Sequence, residues 1–197
     1  MDIAPLDDTT AQAWATLFAE SRCPCFCRWW HFTGTKNDWL ARCANEPHLN
    51  QNDALTGLGA KSDEVRGLVA LEGRQAIGWV KLAPRAVLSK ALRQGPYRSL
   101  TLGSPDGVFG IGCFLVHPDH RRRGIARALV DAALRSVEQW GGHVLEAYPR
   151  RAEHELYAEE AWMGTVRLFT ACGFTEIAGE GAYPVMRRVI HAASPVR

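Results

Sequence analysis

No stretch of this 197-residue chain stays apolar over the length of a membrane-crossing helix. Its first residues, Met1-Asp2-Ile3-Ala4-Pro5-Leu6-Asp7-Asp8, are acidic. They have neither the basic start nor the apolar core of a secretory signal. These absences point to a cytoplasmic protein without a membrane partner. A formal net charge of only +2 gives no ground for a nucleic-acid partner either. Glycine and proline, at 18 and 10 residues, are too few for a fibrous or disordered class. No internal repeat is visible. The six cysteines do not imply a disulfide scaffold, because a cytosolic chain of this size has enough core without one.

What is present is globular. A chain that is 47% hydrophobic and 22% charged can bury one sizeable core, so a single domain over 1–197 is the expectation. The clearest unit is Val108–Val116, an apolar run that reads as a buried strand and stops at Pro118. After the turn His117-Pro118-Asp119-His120 comes Arg121-Arg122-Arg123-Gly124-Ile125-Ala126. Ile125, Ala128, Leu129, Ala132, Ala133, Val137 and Trp140 then recur at helical spacing, ended by Gly141-Gly142. The free amides of that helix's first turn should point at whatever sits beyond the strand end.

Around this unit, Ile3–Leu6 reads as a short edge strand, Ala11–Ala19 as a helix and Lys36–Cys43 as another. Glu46–Gly59 reads as a loop or loose helix. Val65–Leu71 and Ala76–Ala83 form a hairpin pattern across Glu72-Gly73-Arg74-Gln75. His143–Tyr148 is a further strand, Thr165–Cys172 a short helix, and Phe174–Gly179 with Tyr183–Ile190 a last strand pair. Residues 191–197 read as a frayed tail. Strands alternating with crossover helices give a mixed α/β sheet.

Arg121-x-x-Gly124-x-Ala126 resembles the acyl-CoA pyrophosphate loop of the GCN5-related N-acetyltransferase (GNAT) superfamily, following Val116-His117-Pro118 as in that family. Leu168-Phe169-Thr170-Ala171-Cys172-Gly173-Phe174 is similar to the family's late helix and Gly-Phe turn. The turn also makes physical sense as an anion cradle. Backbone amides and a helix N-terminus can hold a pyrophosphate, glycine allows close approach, and arginines add charge-assisted donors. A surface arginine run would lack the rest of this order. A Rossmann site is disfavoured because its glycine fingerprint is absent. A P-loop is disfavoured because no Gly-Lys-Ser/Thr closes the turn.

The resemblance implies a single-domain, mostly antiparallel sheet flanked by helices with splayed central strands. It implies a helical acceptor side at 1–62, and a sheet core with the acyl-CoA site at 63–190. It implies acetyl-CoA as donor, held by Phe114, Leu115, Val116, Arg121, Arg122, Arg123, Gly124, Ile125, Ala126 and Phe169. The thioester carbonyl is expected to meet an amide near Leu115–Val116. The acceptor is expected to be a primary amine of a small molecule, attacking directly. A protein or peptide acceptor and a non-catalytic acyl-CoA sensor are the alternatives. The family often carries a tyrosine where this chain has Phe169 and an asparagine where it has Trp162, so the proton route is open.

Glu146 is the candidate general base, at the strand end where the amine should arrive, and Tyr148 is the next candidate. His117 and His120 read as structural. The polar insertion containing His154, Glu155 and Tyr157 reads as either a lid or an ordinary loop. Cys23-x-Cys25-x-Cys27, His31 and Cys43 include zinc-ligand types. Their tight spacing and aromatic neighbours argue for packing, so no metal is expected. Either a monomer or a homodimer is expected.

Overall fold

The computed structural model describes residues 1–190 apart from 94, 155, 158, 159 and 180. The expected tail at 191–197, and Glu155 of the insertion, therefore lie outside the described residues. The strands are β1 (Asp2–Pro5), β2 (Gly67–Glu72), β3 (Gln75–Pro84), β4 (Val108–Val116), β5 (Val144–Ala147), β6 (Thr175–Ala178) and β7 (Val185–Val189). The helices are α1 (Ala11–Glu20), α2 (Lys36–Asn45), α3 (Pro47–Gly59), α4 (Ser89–Leu92), α5 (Ile125–Gln139) and α6 (Val166–Ala171). Among the described residues, no helix is long and apolar enough to cross a membrane.

The strands form one seven-stranded sheet in the order β1-β2-β3-β4-β5-β7-β6. Every neighbouring pair is antiparallel except β4 and β5. This is the mixed, mostly antiparallel sheet flanked by helices that the sequence implies. Pairing of β4 with β5 ends at Ile111 opposite Ala147, yet β4 continues to Val116. The two central strands therefore part at their C-terminal ends. A bulge lies at the same point. Lys81 pairs with Cys113 and Leu82 with Ile111, which leaves Gly112 without a partner on β3.

Helix α5 covers one face through Ile125, Leu129, Ala133 and Val137, all buried. Its approach is close: a Cβ at Gly78 of β3 would lie 2.6 Å from Ile125 Cγ2. Helix α1 covers the other face with Trp14, Leu17 and Phe18, and Trp14 meets Trp79 edge-on at 5.6 Å between centroids. Cys27 and Cys113 are buried there as free thiols, with their sulfurs 2.9 Å apart and the Trp79 indole donating to Cys27 Sγ at 3.3 Å. Among the described residues, no group of three or more His, Cys, Asp or Glu is placed to hold a metal ion.

One segment is more regular than the sequence reading had it, and one helix start agrees with it. Residues 47–59 form a full helix, α3, with Pro47 in its first turn, where a missing N–H is harmless. Only Asn50 and Ala54 are buried on it, so the apolar stripe is too narrow to advertise a helix. Helix α5 begins at Ile125, because Arg122 and Gly124 take positive φ of 63° and 78°. That left-handed backbone coils Arg121–Gly124 into a loop ahead of the helix.

Candidate active site

The parting of β4 from β5 opens a cleft of about 1180 Å³. Phe114, Leu115 and Val116 form its β4 wall. Arg121, Arg122 and Gly124 curl over one end, and Ile125 and Ala126 start α5 beneath them. Trp162, Gly164 and the first residues of α6 form the opposite wall.

Strand geometry decides which backbone groups face the gap. The His117 amide donates to Ile77 on β3 at 3.0 Å, and alternate amides along a strand point the same way. Leu115 therefore also faces β3, while the amides of Phe114 and Val116 face the side where β5 no longer pairs. The Val116 carbonyl accepts from Arg121 Nε at 3.4 Å, which ties that guanidinium to the strand end. At the far side of the loop, Gly124 supplies no side-chain cap and the first turn of α5 has no acidic residue. Its amides and dipole are left to an anion.

The cleft is strongly cationic. Arg121, Arg122, Arg127, Arg150, Arg151 and Arg167 line it, and its described lining contains no Asp or Glu. Arg150 pairs with Glu160 at 2.7 Å and Arg151 with Glu176, both outside that lining. A near-neutral total charge thus conceals a local surplus. A donor bearing several phosphates fits this wall by charge, and the coiled loop with its bare helix start fits a pyrophosphate.

The structure brings eight of the ten expected donor-site residues around the cleft. Arg123 is exposed and turns aside, its Nη1 3.4 Å from His120 Nδ1. Phe169 is fully buried under the wall, against Phe114 at 6.1 Å and Phe174 at 5.2 Å between centroids. The ring holds up the cleft from below and does not line it.

Glu146 and Tyr148 require a larger correction, since neither lines the cleft. Glu146 is 0% exposed and its Oε1 accepts from Arg85 Nη1 at 3.0 Å and Arg187 Nη2 at 2.5 Å. Its Oε2 accepts from the Tyr148 hydroxyl at 2.9 Å. A carboxylate held by two guanidiniums and a phenol has no oxygen turned toward an incoming amine. The arginines continue to the Leu102 carbonyl, both at 3.1 Å, so the cluster fastens the 102–103 loop to β5 and β7. Burial, then the Glu146 charge, holds the Tyr148 phenol well above its ordinary range.

Four arginines, Arg127, Arg150, Arg151 and Arg167, and Trp162 line the cleft without having been singled out for it. The pair Arg150-Arg151 directly after a strand was the available signal. Trp162 stands over the bulge: its ring lies 5.5 Å from that of Trp30, whose indole donates to the Gly112 carbonyl at 3.0 Å. Tyr157, the tyrosine on the cleft wall, is 73% exposed.

Residues 26–174 match the model of the acetyltransferase (GNAT) family. Among solved structures, the chain is similar to the PaiA N-acetyltransferase of Thermoplasma acidophilum in complex with coenzyme A. Identity is 12%, coverage is 96% of this chain and 99% of that one, and the TM-score is 0.55. It is similar to the ribosomal-protein-S18-alanine N-acetyltransferase of Escherichia coli at 14% identity, 98% and 96% coverage and TM-score 0.52. It is also similar to aminoglycoside 6′-acetyltransferase type Ii at 13% identity, 98% and 100% coverage and TM-score 0.52. At these identities the likeness is one of fold. No curated protein sequence matches the chain.

Proposed function

The chain belongs to the acetyltransferase (GNAT) family, with acetyl-CoA as acyl donor, and from that premise we propose that its acceptor is the primary amine of a small molecule. Attack on the thioester is direct, with no covalent enzyme intermediate. Arg121, Arg122 and the start of α5 would hold the pyrophosphate. The amides of Phe114 and Val116 face the gap where the thioester carbonyl would lie, and an N–H aimed at that oxygen stabilises the negative charge developing on it. Holding donor and amine together supplies much of the rate. Glu146 is left out of the proton route because its oxygens are occupied. Tyr157, whose ring borders the cleft, is the hydroxyl we assign to protonating the departing thiolate.

The observation that carries the small-molecule reading is the Trp30–Trp162 pair over the bulge of β4. Trp162 borders the cleft and is backed by Trp30, an aromatic wall suited to a compact amine. Among the similar structures, one protein acts on a ribosomal protein and another on aminoglycosides, so fold alone does not choose. The test is thiol release from acetyl-CoA against a panel of small amines and lysine or N-terminal peptides. Small amines should be turned over, and Trp162→Ala should raise their KM by more than it weakens acetyl-CoA binding. Turnover confined to peptides would overturn the reading.

A further inference from the structure

A second cavity lies among α2, α3 and the turn that precedes α2, away from the cleft. It measures about 150 Å³, and its walls include Arg28, His31, Phe32, Arg42, Asn50 and Asp53. None of these residues borders the cleft. Seven buried side-chain polar atoms among the described residues lack a hydrogen-bond partner, and four of them belong to this one cavity: Arg28 Nη1, His31 Nε2, Arg42 Nε and Asn50 Oδ1. Native folds leave few such atoms, and each asks for an explanation. Four around a single void ask for a shared partner.

The charges around it say what kind. Arg28 spends Nη2 on Glu64 at 2.9 Å, and Arg42 spends Nη2 on Asp53 at 2.5 Å. Each keeps another buried N–H without an acceptor. Burial, with the cations Lys81, Arg28 and Lys90, holds the His31 imidazole down at about 3, so it is neutral and its surroundings are positive. Asn50 works in the opposite sense. It is fully buried, and its Nδ2 donates to the Pro24 carbonyl at 3.0 Å, which leaves Oδ1 as an acceptor in need of a donor. Asp53 adds a second acceptor to the walls. A bare anion would satisfy the guanidiniums and oppose Asn50. A molecule with a carboxylate at one end and an ammonium or hydroxyl beside it satisfies both. The volume admits roughly five to ten heavy atoms.

We propose that this cavity binds a small carboxylate bearing an adjacent hydrogen-bond donor, of the amino- or hydroxy-carboxylate class. Its carboxylate lies against Arg28 and Arg42, and its donor against Asn50 and Asp53. The site communicates with the cleft through one short element. Arg28 and His31 are the two ends of a 3₁₀ turn whose middle holds Trp30, and Trp30 grips the Gly112 carbonyl and faces Trp162. An occupant that fixes Arg28 and His31 fixes the indole at the acceptor mouth.

The test uses the full chain without acetyl-CoA, so its failure and a failure of acetyl transfer are separate results. Thermal melts and calorimetry would compare glycine, glycolate, acetate and inorganic phosphate at matched ionic strength. Saturable stabilisation and heat are expected from glycine or glycolate, with acetate and phosphate weaker. Arg42→Gln should weaken that binding at least about tenfold, and Arg42→Lys should restore part of it. The His31 ring resonances of the unmodified protein should shift as the ligand saturates, which needs no variant. No response to either compound would overturn the proposal and assign the cavity to water. So would equal responses from the unmodified chain and Arg42→Gln, or His31 resonances that do not move.

Discussion

Two groups of arginines in this molecule are chemically alike and differ in what faces them. Arg85 and Arg187 converge on Glu146 inside the sheet, so their charge is answered within the chain. Arg121, Arg127 and their neighbours line a cleft whose described walls contain no carboxylate. The first group is a lock and the second a receptor for charge brought from outside. Charge alone does not mark a functional arginine; a cleft wall whose described lining holds no carboxylate does.

The hardest test of that contrast is Glu146→Gln. It keeps the shape of the side chain and leaves the buried Arg85 and the partly exposed Arg187 without their carboxylate. Breaking a buried pair in this way costs about 3–5 kcal/mol, enough to lower Tm by roughly 6–20 °C in a domain of this size. Turnover per folded molecule should remain within about threefold. A large fall in kcat with an unchanged Tm would erase the contrast and return Glu146 to the chemistry.

His31 sharpens the comparison from a different side, because burial and the cations Lys81, Arg28 and Lys90 outweigh the one carboxylate beside it among the described ion pairs. That carboxylate, Glu64, is 3.9 Å away. With the folded imidazole down at about 3 and an unfolded value near 6.5, the unfolded chain binds a proton in that window that the folded chain refuses. Stability therefore falls as pH drops below about 6.5, with a slope of up to about 1.4 kcal/mol per pH unit. Urea melts of His31→Gln against the unmodified chain should diverge in favour of the variant, by about 2–3 kcal/mol at pH 4.5. Parallel curves from pH 7 to 4.5 would mean that His31 is protonated in the fold.

These two regions were not equally legible in the sequence. The loop was readable because its parts are contiguous: a strand, a proline, an arginine run, one glycine and an amphipathic helix within a single stretch. The lock was not. Arg85 and Arg187 lie 61 and 41 residues from Glu146, and only the fold brings them together. The strand gave no warning either. Val144, Leu145, Glu146 and Ala147 are all buried, so the alternation that separates a solvated glutamate from an enclosed one is missing. The cavity under Trp30 was hidden for the same reason, since its walls come from α2, α3 and the turn between α1 and α2.

Gly124→Ala isolates the backbone of the receptor from its charges. A Cβ there would meet nothing within 4 Å, yet φ is 78°. The penalty is conformational, about 1–2 kcal/mol, read as a shift in the urea midpoint. If the loop relaxes to relieve it, acetyl-CoA affinity falls while turnover at saturation holds. No change in either quantity would show that the left-handed turn is dispensable.

The smallest stability effect, and the cleanest reading of the contrast, belongs to the cleft arginines. Arg121 is exposed, and Arg127 is exposed in the first turn of α5. Replacing either by alanine removes charge from a wall whose described lining holds no carboxylate, so Tm should move by no more than about 2 °C. The loss should appear in binding instead, as a roughly three- to tenfold rise in the Kd for acetyl-CoA by calorimetry. Salt separates this from general damage. Exposed charges act through a screening length of about 10 Å at 0.1 M, so raising the salt should weaken binding by the unmodified protein more than by either variant. The affinities should thus converge as salt rises. At Arg85 and Arg187 the same substitution should lower Tm with little dependence on salt, because buried pairs are screened far less. A salt-insensitive Kd difference at Arg121 would place that guanidinium with the internal lock.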